Sequence, residues 1–362
     1  MAKLMKAAFL TGPEKMEIRE VGIPEPKPGW VRVRVKACGI CGSDMHYYKG
    51  NFPELDPEKI KERNMLGRIL GHESAGIIDK LGHDVQNFLV GDRVAIIPPY
   101  PCGKCQYCKI GMFEDCNELA IVGYEYSGSF AEYVLVPKNN LFKIPDHITF
   151  EEAATLDVIG VAVHAVHKGR VSMADRVCVL GAGAIGLALI AAAKKAGARE
   201  IFVTAKHPLQ VELVKKMGIK VENIIDPSDS GKAIEEIYRK TENLGIDCVL
   251  ESVGVLGNVI EFGIAIMRKG GRLVFTGLFE EKVNLSFWEV LIKDASIITS
   301  GAYGMWDLVP EFTIGAEMLA NGDWPGNLII THKFSLEKIN EAFHQKLIST
   351  ERNRTIKVEI VF

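Results

Sequence analysis

The feature of this sequence that most constrains its fold is a glycine motif between an apolar strand and a helix-forming segment. The run 176–180, Arg-Val-Cys-Val-Leu, is typical of a buried strand, and Gly-Ala-Gly-Ala-Ile-Gly follows it at 181–186. Residues 187–196 are rich in alanine and leucine and favour a helix. A strand, a tight glycine turn and a helix in this order form the arrangement that binds the pyrophosphate of a dinucleotide.

The glycines of the motif have separate physical tasks. Gly181 makes the tight turn, Gly183 lets the backbone approach a pyrophosphate, and Gly186 lets the helix pack closely on the strand. The positive N-terminal end of the helix favours the negative charge of the ligand. We therefore predict cofactor contacts at these glycines and at Ala184 and Ile185. The alternative is a packing turn in an unrelated α/β protein.

Strands and helices continue to alternate after the motif. The pattern predicts strands at 200–204, 247–251 and 272–278, and helices at 208–217, 233–241 and 257–267. Such alternation predicts a parallel, doubly wound sheet. Because ligands of these sheets bind at the carboxyl ends of the strands, we expect further cofactor contacts there, at Ser252, Gly277 and Leu278.

The segment after the second predicted strand discriminates between the two dinucleotides. An acidic residue about twenty positions beyond the motif binds the adenosine ribose of NAD, but 203–208 reads Val-Thr-Ala-Lys-His-Pro. Lys206 and His207, which follow Ala205, can instead bind a 2′-phosphate through charge-assisted hydrogen bonds. We therefore expect NADP rather than NAD. The alternative is that both side chains are solvated and the protein uses NAD.

A cluster of cysteines predicts a metal site. Cys102, Cys105, Cys108 and Cys116 stand close together in a chain that has only eight cysteines. Four thiolates on one short lobe complete a tetrahedral shell around Zn²⁺ and leave no open position. We therefore predict a structural zinc. The alternative, four free thiols on a loop, does not explain why half of the cysteines fall in one segment.

A looser set of residues predicts a second zinc. Cys38 and Cys41 precede a Gly-His-Glu sequence that contains His72 and Glu73. A thiolate, an imidazole and a carboxylate from separate segments are the ligands of a catalytic zinc, which keeps one coordination position open. Taken alone this pattern is weak, because a single histidine is more often a structural residue. The cysteine lobe and the glycine motif strengthen it.

Composition and charge exclude other classes of protein. The 362 residues are 48% hydrophobic and 25% charged, which predicts about two globular domains rather than a disordered chain. The net charge of −3 gives no basic field for nucleic acid. No apolar run reaches the ~18 residues of a membrane span, and the N-terminus lacks the apolar core of a signal peptide. We expect a cytoplasmic protein with no nucleic-acid or membrane partner.

These motifs together resemble the zinc-containing medium-chain alcohol and polyol dehydrogenases, in particular the branch of sorbitol and threonine dehydrogenases, over nearly the whole chain. The matching stretches are Gly-Ile-Cys-Gly-Ser-Asp at 39–44, Gly-His-Glu at 71–73, the cysteine lobe, Gly-Ser-Phe-Ala-Glu-Tyr-Val at 128–134 and the motif at 181–186. The resemblance implies an α/β fold with two domains. A GroES-like β-barrel catalytic domain, residues 1–156 and 299–362, is split around a Rossmann dinucleotide-binding domain with a doubly wound parallel sheet, residues 157–298.

The resemblance also implies the ligands of the catalytic zinc, the second of two zinc ions per chain. Cys41, rather than Cys38, binds it together with His72 and Glu73. Alcohol dehydrogenases proper supply a further cysteine just before the nucleotide domain, where this chain has none. Asp157 falls where relatives resembling sorbitol or threonine dehydrogenase carry a carboxylate, and it binds zinc directly or through a water. The alternative is an ordinary polar residue at a domain junction.

The predicted reaction is hydride transfer from a carbinol carbon to nicotinamide. Zinc makes the substrate hydroxyl more acidic, and the proton leaves through the Ser43 hydroxyl and then through His46, as the resemblance supports. Tyr47 resembles a residue of polyol dehydrogenases and is expected to line the substrate pocket. Core packing is an equally consistent role for it.

The resemblance favours a polar secondary alcohol such as a polyol or a sugar. Ser-Gly-Ala-Tyr-Gly at 300–304 resembles threonine dehydrogenases instead, so an L-threonine 3-dehydrogenase-like reaction is one alternative. A non-catalytic or quinone-reductase-like relative with structural zinc only is another. The family implies a homo-oligomer, a dimer or tetramer, in which 272–278 or 296–300 pairs across the interface. We expect the charged segment 51–66 to be a surface insertion or lid, and His164 to be structural.

Overall fold

The chain folds as two units, of which only the second is continuous in sequence. The structure is a computed structural model, and the residues that it describes are 3–50, 65–254, 258–279, 283, 285–347 and 353–362. The terminal unit contains Met1–Asp157 and Gly315–Phe362. The central unit contains Val158–Ile314.

The described strands and helices are numbered separately along the chain. Strands β1 to β19 are Leu4–Gly12, Lys15–Gly22, Trp30–Gly39, Glu73–Leu81, Arg93–Ile96, Pro99–Tyr100, Ala120–Ile121, Tyr133–Pro137, Leu141–Lys143, Arg176–Leu180, Glu200–Thr204, Ile224–Ile225, Ile246–Glu251, Met267–Phe275, Ser296–Thr299, Met305–Trp306, Val309–Pro310, Ile330–Ser335 and Lys357–Val361. Helices α1 to α12 are Gly42–Lys49, Gln106–Lys109, Phe150–Ala154, Leu156–Lys168, Ala184–Lys195, Pro208–Lys216, Ser230–Lys240, Asn258–Ile266, Phe287–Ile292, Glu311–Ala320, Gly326–Ile329 and Ile339–Leu347. None of these helices combines the length and the apolar character that crossing a bilayer requires.

The terminal unit is built on a mainly antiparallel sheet around the long strand β3. The strand order is β18-β19-β3-β4-β5-β9, β8 also pairs with β3, and β18 and β19 are parallel. Val31, Val33 and Val35 of β3 are buried, whereas Arg32 and Arg34 between them are partly or fully exposed. This alternation is what a strand with one face on the core requires.

The pairing of β3 with β4 brings two predicted metal ligands to the same end of the sheet. Gly39, the last residue of β3, pairs with Glu73, the first residue of β4. Cys41 follows β3 and His72 precedes β4, so both leave the sheet at this point. Only glycine fits at position 39, because a Cβ there would lie 2.3 Å from Glu73 Oε2.

The central unit contains a parallel six-stranded sheet in the order β12-β11-β10-β13-β14-β15. Numbered in chain order these strands read 3-2-1-4-5-6, the order of the doubly wound folds that bind dinucleotides. The predicted doubly wound parallel sheet is therefore confirmed. Helix α7 begins earlier than predicted, at Ser230, because the Asp229 carboxylate caps it by accepting a hydrogen bond from Lys232 N.

The central unit ends later than the domain boundary predicted after residue 298. Residues up to Ile314 belong to it, and Glu311 is hydrogen-bonded to His164 and to Gly304 inside the unit. The assignment of the split domain, 1–156 and 299–362, to catalysis and of 157–298 to dinucleotide binding stays a prediction. Of the predicted insertion at 51–66, residues 51–64 lie outside the described residues.

Candidate functional site

The predicted catalytic-zinc ligands Cys41, His72 and Glu73 lie together in the terminal unit. One ligand atom of each, a thiol sulfur, a ring nitrogen and a carboxylate oxygen, lies within 4.8 Å of the others. His72 and Glu73 are buried, and Cys41 is partly exposed. Nitrogen, sulfur and oxygen donors in this combination suit Zn²⁺, and one partly exposed donor leaves the cluster open on one side.

Asp44 joins two of these ligands, although the sequence analysis did not select it. Its Oδ2 accepts a hydrogen bond of 2.9 Å from Cys41 N, and its Oδ1 lies 3.6 Å from His72 Nδ1. Oδ1 and Nδ1 are both buried without a hydrogen-bond partner among the described residues. A carboxylate beside the second ring nitrogen is how proteins orient a histidine whose other nitrogen binds metal. The sequence does contain a signal for this residue. Cys41 is the N-cap of α1, and an acidic residue three positions later, here Asp44, is typical of a capping box.

Negative charge dominates the surroundings of His72. Burial alone would lower its pKa, but the charges of Asp44 and Cys41 outweigh burial and raise the pKa to about 10. Asp157, which is also buried, contributes in the same direction. The protein groups by themselves therefore favour a positive charge at this position. A divalent cation satisfies the same requirement. Direct binding of zinc by Asp157 stays a prediction.

Two lysines, the buried Lys357 and the partly exposed Lys346, complete the surroundings of the cluster. Lys357 of β19 forms an ion pair with Glu73, and its pKa is raised because Glu73 and Cys41 outweigh the effect of burial. Lys346 of α12 donates a hydrogen bond to Ile40 O. Its pKa is lowered to about 8 by burial and by Lys357. Lys357 contacts Oε2 of Glu73, so the other carboxylate oxygen of Glu73 remains available to a metal ion. No local pattern could have predicted either lysine.

The predicted proton-relay residues lie on α1, beside an aromatic group that the sequence analysis missed. The Ser43 hydroxyl lies close enough to the phenol of Tyr124 to lower its pKa, which burial and the charge of Asp44 raise on balance. The ring of Tyr124 lies 4.9 Å from that of Tyr47 and 5.4 Å from that of His72. His46 is buried at 7% exposure, so a proton that passes through it leaves along a largely enclosed path. The relay through Ser43 and His46 stays a prediction.

The four cysteines of the predicted structural site converge. Cys105 Sγ lies 3.4 Å from Cys108 Sγ and 3.9 Å from Cys116 Sγ. Cys102 Sγ lies 4.0 Å from Cys108 Sγ, and Cys102 N donates to Cys116 Sγ. Sulfurs bound ~2.3 Å from a tetrahedral zinc are about 3.8 Å apart, so the lobe fits this ion. Its four sulfurs are enough to fill a tetrahedral shell.

The glycine motif forms the predicted turn between β10 and α5. Gly181 has a φ of 92°, which favours glycine, and Gly181 N donates to Thr204 Oγ1. A Cβ at Gly186 would lie 2.0 Å from Gly181 O, whereas a Cβ at Gly183 would meet nothing within 4 Å. Gly183 is the N-cap of α5, and no side chain caps that helix. The N–H groups of its first turn, from Ala184 onward, are therefore available to a phosphate.

The residues after β11 carry one exposed positive charge. Ala205 is buried, Lys206 is exposed, and the pKa of His207 is lowered by burial and by the charge of Lys206. His207 is therefore mainly neutral at pH 7, which leaves Lys206 as the cation of this segment. The pKa of the neighbouring Asp226 is lowered mainly by hydrogen bonds from Ser228, and the positive charge of Lys206 acts in the same direction.

The loops that follow β13 and β14 are fixed by Glu251, another residue that the sequence analysis missed. Its carboxylate accepts hydrogen bonds from Gly254 N at 2.7 Å and from Gly277 N at 3.2 Å. Burial raises the pKa of Glu251 in spite of these bonds. Ser252 Oγ donates to Leu180 O at 2.9 Å, across the two strands at which the strand order reverses. Leu278 is half exposed at this edge of the sheet.

Two family descriptions match the chain. "Alcohol dehydrogenase GroES-like domain" matches residues 27–146, and "Zinc-binding dehydrogenase" matches residues 184–317. They confirm the predicted fold class, a GroES-like domain combined with a Rossmann-type nucleotide domain.

Named proteins align with nearly the whole chain. Sorbitol dehydrogenase of Bacillus subtilis is 33% identical over 364 residues, which cover 98% of this chain and 97% of that protein. L-threonine 3-dehydrogenase of Pyrococcus furiosus is 34% identical and covers 95% of each chain. Among solved structures, a zinc-binding dehydrogenase from Sinorhizobium meliloti 1021 bound to NADP has a TM-score of 0.86 at 28% identity, over 99% of this chain and 100% of that one.

The cysteine lobe and the cluster of Cys41, His72 and Glu73 together predict about two zinc ions per purified chain. Plasma emission spectroscopy measures this zinc content. Cys116→Ser removes one of four tetrahedral ligands, and we expect its zinc content to fall to about one. The matched control is Cys178→Ser, a buried strand residue outside both sites, which keeps about two. A Cys116→Ser protein that is folded and retains two zinc ions would contradict the structural assignment.

Proposed function

Since the chain belongs to the zinc-binding medium-chain alcohol and polyol dehydrogenases, we propose that it oxidises a polar secondary alcohol, a polyol or a sugar, and that NADP accepts the hydride. The observation that carries this proposal is the cluster of Cys41, His72 and Glu73, whose ligand atoms lie within 4.8 Å of one another. In this proposal Asp157 completes the ligand set, directly or through a water.

The residues around the cluster have separate roles in the proposed reaction. When bound, zinc acts as a Lewis acid toward the substrate hydroxyl, and nicotinamide takes the hydride. Ser43 Oγ accepts the proton of the alcohol, and the Tyr124 phenol beside it holds this hydroxyl in one orientation. His46, on the same helix, passes the proton on. Asp44 keeps His72 and Cys41 in position.

The polarity of this region supports a substrate with several hydroxyl groups. The hydroxyl groups of Ser43 and Tyr124 lie beside the cluster, and Tyr47 adds a second aromatic ring. Each hydroxyl can form further hydrogen bonds, which a polyol satisfies and an aliphatic chain does not. The similarity to sorbitol dehydrogenase points to the same class, and the similarity to L-threonine 3-dehydrogenase names the alternative.

Cys41→Ser tests whether the cluster performs the chemistry. We expect oxidation to fall at least ~1,000-fold, because serine is a poor zinc ligand, while the dissociation constant of NADPH stays within about twofold. Cys38→Ser is the matched control, since Cys38 is a buried neighbour that we do not assign to zinc, and its activity should persist. Unchanged turnover in Cys41→Ser would remove the catalytic-zinc proposal and favour a relative that keeps zinc for folding only.

A substrate panel, followed by the absorbance of the reduced nicotinamide, separates the candidate activities. We expect kcat/KM for sorbitol or a related polyol to exceed that for 1-hexanol and for L-threonine by at least about tenfold. A higher kcat/KM for L-threonine than for the polyols would instead favour the L-threonine 3-dehydrogenase-like reaction.

Lys206 supports NADP as the cofactor. Its exposed ammonium stands where an acidic residue would bind the ribose of NAD, and Ala205 beside it has no polar side chain. This contact is therefore expected to favour NADP by about one order of magnitude.

Lys206→Ala should lower kcat/KM for NADP by about tenfold and leave that for NAD within about twofold, because only NADP carries the 2′-phosphate. The control is Lys215→Ala, an exposed lysine on α6 that is not part of the proposed site. Equal losses with both cofactors, or a wild-type preference for NAD, would contradict the assignment.

We also propose a homo-oligomer in which β15 of the central unit pairs with a second copy of the chain. In the described residues β15 is the edge of its sheet, with one side of its backbone unpaired. Helix α9, which precedes β15 in the chain, exposes Phe287, Trp288 and Leu291 to about 70%. Large apolar side chains at this exposure are typical of an interface. All eight cysteines are free of disulfides, and we propose a reducing, cytoplasmic location on this ground.

Trp288→Glu tests this interface by multi-angle light scattering at several protein concentrations. The buried charge should shift the wild-type dimer or tetramer toward smaller species. Met173→Glu, at an equally exposed apolar residue elsewhere in the central unit, should keep the wild-type mass. A monomeric wild type would refute the proposal.

A further inference from the structure

A buried carboxylate and two histidines form a hydrogen-bonded cluster that the reaction described above does not use. His164 Nδ1 lies 2.7 Å from Glu311 Oε2, and His167 Nδ1 lies 2.7 Å from Glu311 Oε1. The Glu311 side chain is fully buried, His164 is 3% exposed and His167 is 31% exposed. Because the two histidines are three residues apart on α4, both reach the same carboxylate from one face of the helix.

The cluster is bonded to the end of the loop that follows β15. Gly304 N donates to Glu311 Oε2 at 2.7 Å, and Glu311 N donates to Gly304 O at 3.0 Å. Within the same loop, the ring of Tyr303 faces Gly160 of α4, where a Cβ would lie only 3.1 Å from the ring. Beyond the loop, Trp306 stacks on His167 at 4.5 Å. The loop 300–304 is thus held against α4.

This loop lies at the edge of the sheet at which dinucleotides bind. In a doubly wound sheet the first three strands hold one mononucleotide half and the last three hold the other, at their carboxyl ends. The glycine motif follows β10, so the adenosine half belongs to β10, β11 and β12. The loops after β13, β14 and β15 are left for the nicotinamide half. Glu251 fixes the first two of them, and Glu311 fixes the third.

The distances favour hydrogen bonds over a third metal site. Ligand atoms around a tetrahedral zinc, each ~2.0 Å from it, are about 3.3 Å apart, whereas both nitrogen–oxygen distances here are 2.7 Å. Oε2 also accepts the Gly304 N–H. His164 therefore donates its Nδ1 proton to Oε2 and His167 donates its own to Oε1, which leaves the carboxylate ionised in a buried place. Burial would raise the pKa of Glu311, but these hydrogen bonds prevail and lower it.

We propose that Glu311, held by His164 and His167, is a positioning residue that fixes the loop 300–304 in the conformation that receives the nicotinamide half of the cofactor. The inference rests on the proposed dehydrogenase function. A loop without this anchor has to be ordered when the cofactor binds, and that ordering reduces affinity. This loss of affinity is expected only for ligands that contact the loop, which are those that carry the nicotinamide half.

Glu311→Gln removes one of the two oxygens that the histidines share. We expect the dissociation constant of NADPH, measured by its fluorescence, to rise about tenfold or more, while that of 2′,5′-ADP, measured by calorimetry, stays within about twofold. NADH and ADP replace these probes if the wild type prefers NAD. Glu317→Gln, at an exposed glutamate of the same helix α10, should change neither constant.

A pair of variants at His164 distinguishes positioning from general stability. Asparagine can donate from about the place of Nδ1, so His164→Asn should keep most of the NADPH affinity, whereas His164→Leu should lose it as Glu311→Gln does. Four outcomes would overturn the proposal: unchanged NADPH affinity in Glu311→Gln, equal weakening of both ligands, equal behaviour of the two His164 variants, or a third zinc per wild-type chain that Glu311→Gln loses. A wild type that binds neither dinucleotide would instead refute the proposed function.

Discussion

The interaction on which the rest of the account depends is the attraction between buried negative groups and a cation at His72. Asp44, Cys41 and Asp157 raise the pKa of this buried histidine to about 10, although burial acts in the opposite direction. Charged groups are placed in an apolar interior only where a partner compensates the loss of hydration. Lys357 compensates Glu73, and the acidic groups around His72 favour a positive charge at that position. In the proposed function, zinc is this ion, and it would act there as the Lewis acid.

Backbone geometry brings these groups together. The register of β3 and β4 aligns Gly39 with Glu73, and the first turn of α1 directs Asp44 to the backbone of Cys41. The central unit follows a similar principle at its ligand-binding edge. There, buried carboxylates, Glu251 and Glu311, accept hydrogen bonds from loop N–H groups and fix the loops that follow three strands. Each unit thus uses acidic side chains to hold backbone in place where chemistry or binding requires it.

The sequence predicted those features whose physical cause is local. The turn at Gly181 and the cysteine lobe are set by residues a few positions apart, so spacing alone identifies them. The sequence analysis missed partners that are distant in sequence. Lys357 reaches Glu73 from the end of the chain, and Glu311 reaches α4 across 147 residues. Such contacts arise from tertiary packing, which no periodicity of the sequence encodes.

Anomalous diffraction at the zinc absorption edge, from crystals of the purified protein, tests the central claim most directly. The account predicts two peaks per chain, one within the cysteine lobe and one about 2.0–2.3 Å from Cys41 Sγ and a ring nitrogen of His72. A peak confined to the lobe, in a protein whose Cys41 and His72 are separated and whose Asp44 faces neither, would contradict it.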